Sequence, residues 1–121
     1  MASQQEVTRF IRSTFRSAWS LELLLVMKNE PDRSWAPAEL VARLRASDLV
    51  VTRGLEELLT AGLILIDEAG AVCYRPLSAD LDRLVEETAM LYAKSSDAVR
   101  RIIVSRASVN AFADAFRLRK D

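Results

Sequence analysis

The sequence predicts a mainly α-helical fold with one small β-hairpin, on the strength of two observations. Apolar residues recur at every third or fourth position through most of the 121 residues, which is the spacing of an amphipathic helix. The exception lies after residue 62, where two short apolar runs, 63–66 and 71–75, flank the turn-forming residues 67–70. A chain of this length fits one domain, and three glycines and three prolines are too few for a low-complexity chain.

The first helix is expected over residues 7–29. Small polar residues cluster at 13–17, so the helix is either continuous or interrupted there. It ends ahead of Pro31, because a proline pushes the residue before it out of helical geometry. The two tryptophans, Trp19 and Trp35, are expected to lie in the core rather than to form a ligand platform.

Two shorter helices follow, joined by a tight turn. One covers residues 37–45 and begins with Pro37, which suits the first position of a helix. The next covers 48–61, with Ser47 as its N-cap and Gly62 as the left-handed residue that ends it. The inward stripe of this third helix is expected to comprise Val51, Leu55, Leu58 and Leu59.

The chain after the hairpin is expected to be helical throughout. Ser78 caps one helix, a break follows at 94–96, and further apolar stripes at helical spacing come after the break. We therefore divide the chain into residues 1–76, a domain with an N-terminal helical extension, and residues 77–121, a C-terminal helical segment. This segment either forms a homodimer or caps a monomer, and we expect the homodimer because its apolar residues exceed what one domain needs to cover.

Composition excludes several classes of protein. The chain has 17 basic and 17 acidic residues, no histidine and one cysteine, Cys73. One cysteine cannot form an internal disulfide, and histidine-based catalytic triads and ordinary zinc sites are absent. The most apolar segment, residues 18–27, contains Glu22 and is shorter than the roughly 20 residues of a membrane span. We expect a cytoplasmic protein that does not enter a membrane.

The residues give little support for catalysis. The densest group of acids comprises Asp80, Asp82, Glu86 and Glu87. The first two fall in the first turn of a helix, where the helix dipole favours acids, and Arg83 has ion-pair spacing to Glu87. The three glycines are isolated, so no phosphate-binding loop is present. Cys73 is either a small buried hydrophobe or a redox-sensing thiol. We expect a non-enzymatic protein without cofactor or metal.

One segment resembles a known protein family. The segment around the third helix reads Ser47-x-x-x-Val51-x-Arg53-x-Leu55-x-x-Leu58-x-x-Ala61-Gly62-Leu63-Ile64. It resembles the recognition-helix segment of bacterial winged-helix transcriptional regulators of the MarR and PadR kind, and the matching stretch covers roughly residues 18–75. The resemblance implies a winged helix-turn-helix domain followed by C-terminal helices, with the hairpin as the wing. It also implies a DNA-binding regulator that acts as a dimer.

This reading gives each candidate DNA-contacting residue a role. In such regulators the N-terminal half of the recognition helix enters the major groove of double-stranded DNA. Arg53 and Thr52 would then read bases, and Ser47 would contact bases or phosphate. The phosphate contacts would come from five arginines in the second helix and near the N-terminus, of which the N-terminal three are expected on one helical face: Arg43, Arg45, Arg9, Arg12 and Arg16. The alternative for the N-terminal three is that they form only a solvated helical face.

A protein partner is the alternative to DNA. Residues 48–62 contain one arginine and three acids, a net charge of −2, and the hairpin turn is acidic as well. Carboxylates that face a phosphate backbone are repelled by it. A winged-helix scaffold without DNA binding would instead contact a protein through Leu49 and Val50 and through a C-terminal apolar stripe, Val109, Phe112 and Phe116.

Overall fold

The computed structural model describes residues 3–105, and the structural statements below concern this part of the chain. It confirms the mainly helical class with one two-stranded antiparallel hairpin. The elements in chain order are α1 (Gln4–Thr14), α2 (Ala18–Asn29), α3 (Pro37–Leu44), α4 (Asp48–Thr60), β1 (Ile64–Ile66), β2 (Val72–Tyr74), α5 (Ala79–Lys94) and α6 (96–105).

The first predicted helix is two helices, and the interruption lies inside the predicted region. Phe15 leaves helical geometry with φ −104° and ψ 121°, and its side chain is fully buried against Phe10, with the ring centroids 5.9 Å apart in an edge-to-face arrangement. The hydroxyl of Ser17 then accepts a hydrogen bond from the backbone N–H of Ser20 and caps α2. The buried ring and the serine cap together turn the chain between α1 and α2.

A tight left-handed turn joins α3 to α4. Arg45 has φ 54° and ψ 38°, so α3 ends one residue earlier than the sequence predicts. The hydroxyl of Ser47 accepts a hydrogen bond from the backbone N–H of Val50 at 3.1 Å, which confirms the predicted N-cap of α4. This turn fixes the direction in which α4 leaves α3.

The start of α3 is capped by a residue within the helix, because Ala36 has no polar side-chain atom that could accept a capping hydrogen bond. The carboxylate of Glu39 accepts a hydrogen bond from the backbone N–H of Ala36 at 2.8 Å and another from the guanidinium of Arg33 at 2.9 Å. The backbone N–H and then Arg33 hold the pKa of Glu39 below its ordinary value of 4.5. The same arginine stacks on the ring of Trp35 at 3.5 Å and links this loop to the core.

The lowered pKa of Glu39 predicts a pH effect on stability. A carboxyl group whose pKa is lower in the folded than in the unfolded chain stabilises the fold above about pH 4.5, and this contribution disappears as the pH falls through the folded pKa. Glu39→Gln should therefore make the free energy of unfolding fall less between pH 6 and the folded pKa than it does in the wild type. Urea titrations across that range measure it. Identical pH profiles for the two proteins would show that Glu39 is not linked to folding.

The hairpin pairs β1 with β2 in the register Ile64 with Tyr74 and Ile66 with Val72. The side chain of Asp67 holds the turn by accepting hydrogen bonds from two backbone N–H groups, each at 2.9 Å. Trp35 forms a further bridge to the outer side of β2, with two backbone hydrogen bonds to Val72 of 2.7 and 2.8 Å. The loop between α2 and α3, predicted as a plain connector, therefore extends the sheet by one position.

Helices α2 and α4 cross closely at the centre of the fold. A Cβ atom on Gly54 would lie 2.9 Å from the Leu23 side chain and 3.7 Å from the backbone of Ser20, so glycine permits this approach. The largest fully buried side chains of the core are Trp35, Phe15, Ile11, Leu21, Leu23, Leu24, Met27, Leu40, Leu58, Leu63, Ile64 and Val51. The core thus joins all six described helices and the hairpin in one cluster.

Gly62 ends α4, as predicted, and offers a stability test. Its φ is 77°, and a Cβ there would lie 2.6 Å from the exposed side chain of Leu77, which is free to move aside. Gly62→Ala should lower the free energy of unfolding by about 1–2 kcal/mol, because a left-handed conformation is unfavourable for alanine. Gly70→Ala is the matched comparison and should cost a similar amount, since Gly70 has φ 88° and open space around it. A much larger loss for Gly62→Ala than for Gly70→Ala in urea titrations would show that the Leu77 side chain does not move aside.

Helix α5 packs against α1 and is joined by polar contacts to the hairpin and to α2. The hydroxyl of Tyr74 donates a hydrogen bond to the carboxylate of Asp82 at 2.7 Å, and burial together with this carboxylate raises the pKa of the Tyr74 hydroxyl above its ordinary value. Lys28 of α2 forms an ion pair with Glu86. Ser78 caps α5 as predicted, by accepting a hydrogen bond from a backbone N–H of the first turn.

Two predicted core residues are exposed. Leu59 is 43% exposed, because the buried face of α4 centres on Gly54 and Leu58, and the next position along the helix turns about 100° away from that centre. Trp19 is 41% exposed, because it lies in the first turn of α2 and faces a groove beside α4 instead of the core. Trp35 is buried, as predicted.

Candidate nucleic-acid interface

The outward face of α4 is the centre of the candidate interface. The inward face, formed by Val51, Gly54, Leu55 and Leu58, packs on the rest of the domain. The opposite side of the helix presents exposed side chains through its whole length: Leu49, Thr52, Arg53, Glu56 and Thr60. This face is accessible to a large partner because α2 and α3 both pack behind it.

The predicted base-reading residues lie on this outward face. Arg53 and Thr52 are exposed, and the Arg53 guanidinium forms no ion pair with any residue between 3 and 105. Ser47 is exposed at the start of the helix, but its hydroxyl oxygen already accepts the N-cap hydrogen bond from Val50. The hydroxyl proton of Ser47 therefore remains for a contact with an acceptor.

Two predicted phosphate contacts lie just before α4 in the chain. Arg43 belongs to the last turn of α3 and Arg45 follows that helix in the left-handed turn. Both side chains are exposed, and neither forms an ion pair within the described part of the chain. Both arginines therefore lie only a few residues before the exposed start of α4.

The prediction that Arg9, Arg12 and Arg16 share one helical face is wrong. Arg9 and Arg12 are exposed on α1, but α1 ends at Thr14, so Arg16 lies in the connection to α2. The backbone N–H of Arg16 donates a hydrogen bond to the carboxylate of Glu57 on α4 at 3.0 Å. The break in the helix thus takes Arg16 out of α1 and places its backbone against α4.

An open groove of about 960 Å³ runs between α4 and the α1–α2 connection. We call it the α4 groove. Its charged residues are two arginines and two glutamates, and its lining consists of Phe10, Ser13, Thr14, Arg16, Ser17, Trp19, Val50, Arg53, Glu56, Glu57, Thr60, Ala61 and Leu81. Sequence analysis did not identify this groove, because it depends on how two helices pack and not on the period of either one.

Acidic residues surround the candidate interface, as the charge count predicts. Helix α4 carries one arginine, Arg53, against Asp48, Glu56 and Glu57. Both acids of the hairpin turn, Asp67 and Glu68, are exposed. The interface is therefore a mixed surface in which unpaired arginines lie among carboxylates, and not a continuous basic patch.

Apolar side chains are also exposed near α4. Leu49 is 57% exposed at the first turn of the helix, and Val50 is half-buried along the α4 groove. Leu65 and Ile66 of β1 are each 44% exposed, which the sequence did not indicate because the run 63–66 contains no polar residue to mark its outward side. The third predicted partner-binding set, Val109, Phe112 and Phe116, lies outside the described residues.

Cys73 and the acidic residues of α5 are the other side chains that the sequence analysis considered for chemistry. Cys73 is a free, half-buried thiol in β2. Asp80 and Arg83 form an exposed contact of 4.0 Å at the start of α5, the kind of pair that adds little stability. Residues 3–105 contain no group of three or more histidine, cysteine, aspartate or glutamate side chains placed to hold a metal ion. No helix in this range is long and apolar enough to cross a membrane.

Comparisons with known proteins add no assignment. The chain matches no protein family, no curated protein and no solved structure.

Proposed function

We propose that the chain is a cytoplasmic, non-enzymatic transcriptional regulator of the winged helix-turn-helix kind that binds double-stranded DNA as a homodimer. In this proposal α3, the turn at Arg45 and α4 form the helix-turn-helix, and β1 and β2 form the wing. One observation carries it: α4 presents Arg53 on an open face without an ion-pair partner in the described chain, and the exposed Arg43 and Arg45 lie at the end of α3 and in the turn before α4.

The dimensions of α4 support entry into the major groove. Its 13 residues give a length of about 20 Å at a rise of 1.5 Å per residue. The major groove is about 12 Å wide and admits one α-helix. The bridge between Trp35 and Val72 also supports a wing, because it joins the α2–α3 loop to the β2 residue next to the turn and so fixes the hairpin on the domain.

Each polar residue has a role in the proposed complex. Arg53 forms bidentate hydrogen bonds to a guanine, and Thr52 contacts a neighbouring base edge. Ser47 donates its hydroxyl proton to a phosphate oxygen. The exposed arginines on either side hold further phosphates, and they are Arg43, Arg45, Arg9, Arg12 and Arg16.

Two copies are proposed because one recognition helix reads only a few bases. Met90 of α5 and Val104 of α6 are 63% and 60% exposed, which leaves apolar surface on the C-terminal helices for a second copy. A homodimer would set two copies of α4 on two half-sites about 34 Å apart. Sedimentation equilibrium should give twice the chain mass, and Met90→Glu combined with Val104→Glu should shift the mass towards one chain.

Selection from a library of genomic fragments tests DNA binding directly. The full chain should enrich fragments that share a short, two-fold related sequence, and added salt should release them. Arg53→Ala should relax the shared sequence, because a bidentate guanine contact is lost. Recovery of fragments without any common sequence, or no salt-dependent recovery, would contradict the proposal.

A protein partner is the second candidate function. The observation that favours it is the exposed Leu49 in the first turn of α4, on a helix with more acids than bases. Leu49→Ala should abolish a protein contact that depends on this leucine, whereas Arg53→Ala should leave such a contact largely intact. A pull-down and a DNA-binding assay with both variants separate the two functions, because DNA binding should depend on Arg53 and change little with Leu49→Ala.

A further inference from the structure

The α4 groove has features of a small-molecule site, and it shares two arginines with the proposed DNA contacts. It lies between α4 and the α1–α2 connection, and its open volume of about 960 Å³ is at the upper end of the range for ligand pockets. Part of its wall is apolar, and the polar groups come from both sides. The charged and aromatic residues of the lining therefore determine which ligand the groove fits.

Two guanidinium groups from separate elements line the groove. Arg16 comes from the α1–α2 connection and Arg53 from α4, and both side chains are exposed. Neither has an ion-pair partner among residues 3–105. The hydrogen bond from the Arg16 backbone to Glu57 holds the base of one arginine against the helix that carries the other. Such a pair suits a carboxylate, which arginine binds with two parallel hydrogen bonds.

Two carboxylates line the same groove. One oxygen of Glu57 is engaged by the backbone of Arg16, whereas the exposed Glu56 side chain has no hydrogen-bond partner in the described residues. The two arginines and two glutamates cancel in charge, so a ligand with several negative charges would meet repulsion from the acids. A ligand with one negative and one positive group can pair with the arginines through one group and with the glutamates through the other.

An indole ring supplies the apolar part. Trp19 lines the groove and is 41% exposed, although the chain buries its other tryptophan almost completely. Val50 and Leu81 also line the groove and add aliphatic surface to its wall. An aromatic ligand ring stacks on such an indole and removes exposed apolar surface from water.

We propose that the α4 groove binds a free amino acid with an aromatic side chain. The carboxylate of the ligand is held by Arg16 and Arg53, its ammonium group by Glu56, and its ring stacks on Trp19. Binding of this ligand does not require DNA, although Arg16 and Arg53 belong to both surfaces.

Calorimetric titration of the full chain, without DNA, tests the site with three probes that share one ring. They are L-phenylalanine, 3-phenylpropionate, which lacks the ammonium group, and phenylethylamine, which lacks the carboxylate. L-phenylalanine should bind at least about tenfold more tightly than either of the others, because each of them loses a hydrogen bond between charged groups. Equal binding of 3-phenylpropionate would overturn the zwitterionic assignment. A dissociation constant for L-phenylalanine weaker than about 10 mM would overturn the site.

Variants then test the residues. Arg16→Ala should weaken binding of L-phenylalanine by about tenfold or more, and Trp19→Ala should weaken it more than Trp19→Phe, which keeps an aromatic ring. Arg75→Ala is the control, because Arg75 is exposed, unpaired in the described chain and outside the groove lining. Equal weakening by Arg75→Ala and Arg16→Ala would overturn the assignment. Circular dichroism shows whether each variant is folded, and the absence of DNA keeps the outcome independent of the proposed function.

Discussion

Replacement of Phe15 by alanine is expected to lower the free energy of unfolding by about 3–5 kcal/mol. The Phe15 ring is completely buried and packs edge-to-face on Phe10 at the point where α1 and α2 separate. Its removal leaves a cavity that two helices with fixed caps cannot easily close, since Ser17 holds the start of α2. Urea unfolding followed by circular dichroism measures the loss.

Two further variants make this measurement specific. Phe15→Leu keeps most of the buried volume and should cost less than Phe15→Ala. Leu49→Ala removes an apolar side chain that is 57% exposed and should change stability by no more than about 0.5 kcal/mol. A loss below about 1 kcal/mol for Phe15→Ala would mean that the α1–α2 connection does not depend on this ring.

Replacement of Arg53 by alanine is expected to weaken binding to a selected DNA site by about 1–3 kcal/mol, which corresponds to roughly five- to 150-fold. The side chain is exposed on the outward face of α4 and has no ion pair to break within residues 3–105, so the variant should fold normally. Binding to unrelated DNA should weaken much less, because phosphate contacts dominate it. Fluorescence anisotropy with both duplexes measures the two losses.

Arg101→Ala is the matched control for this effect. Arg101 is an exposed arginine of α6, outside the α3–α4 region, and its side chain makes only a long contact of 3.4 Å to the backbone of Asp97. Its removal takes away the same charge without touching the proposed interface. Equal losses for Arg53→Ala and Arg101→Ala at the selected site would show that overall charge, and not the outward face of α4, governs binding.

Local signals in the sequence were sufficient for most helix boundaries. Ser47 and Ser78 are N-caps where the sequence predicts them, and Gly62 ends α4 with a positive φ. These features depend on a few neighbouring residues, since a cap is a hydrogen bond between a side chain and the backbone three positions away. The hairpin turn at Asp67 belongs to the same class of local signal.

Features that depend on packing between elements were not predictable in this way. Periodicity assigned Trp19 to the core, but the α1–α2 break rotates the start of α2 so that this ring faces the α4 groove. The same break removed Arg16 from the predicted arginine face and put its backbone against Glu57, 41 residues away in sequence. The positions of Trp19 and Arg16 in the candidate site therefore follow from the break between α1 and α2. The sequence predicted where this break lies but not how it changes the packing of these two residues.

The zero net charge of the chain hides an uneven surface. Asp48 and Glu56 of α4 and both acids of the hairpin turn are exposed. So are arginines that have no partner in the described residues, among them Arg43, Arg45 and Arg53. Each contact between an arginine and a phosphate releases bound cations from the DNA. The salt dependence of binding therefore shows whether these arginines contact phosphates.

A salt titration on the selected duplex answers that question most directly. The logarithm of the binding constant should fall linearly with the logarithm of salt concentration, and Arg43→Ala and Arg45→Ala should each make the slope shallower by about one per bound chain. Binding that does not respond to salt, or a slope that both substitutions leave unchanged, would contradict DNA recognition by α3 and α4.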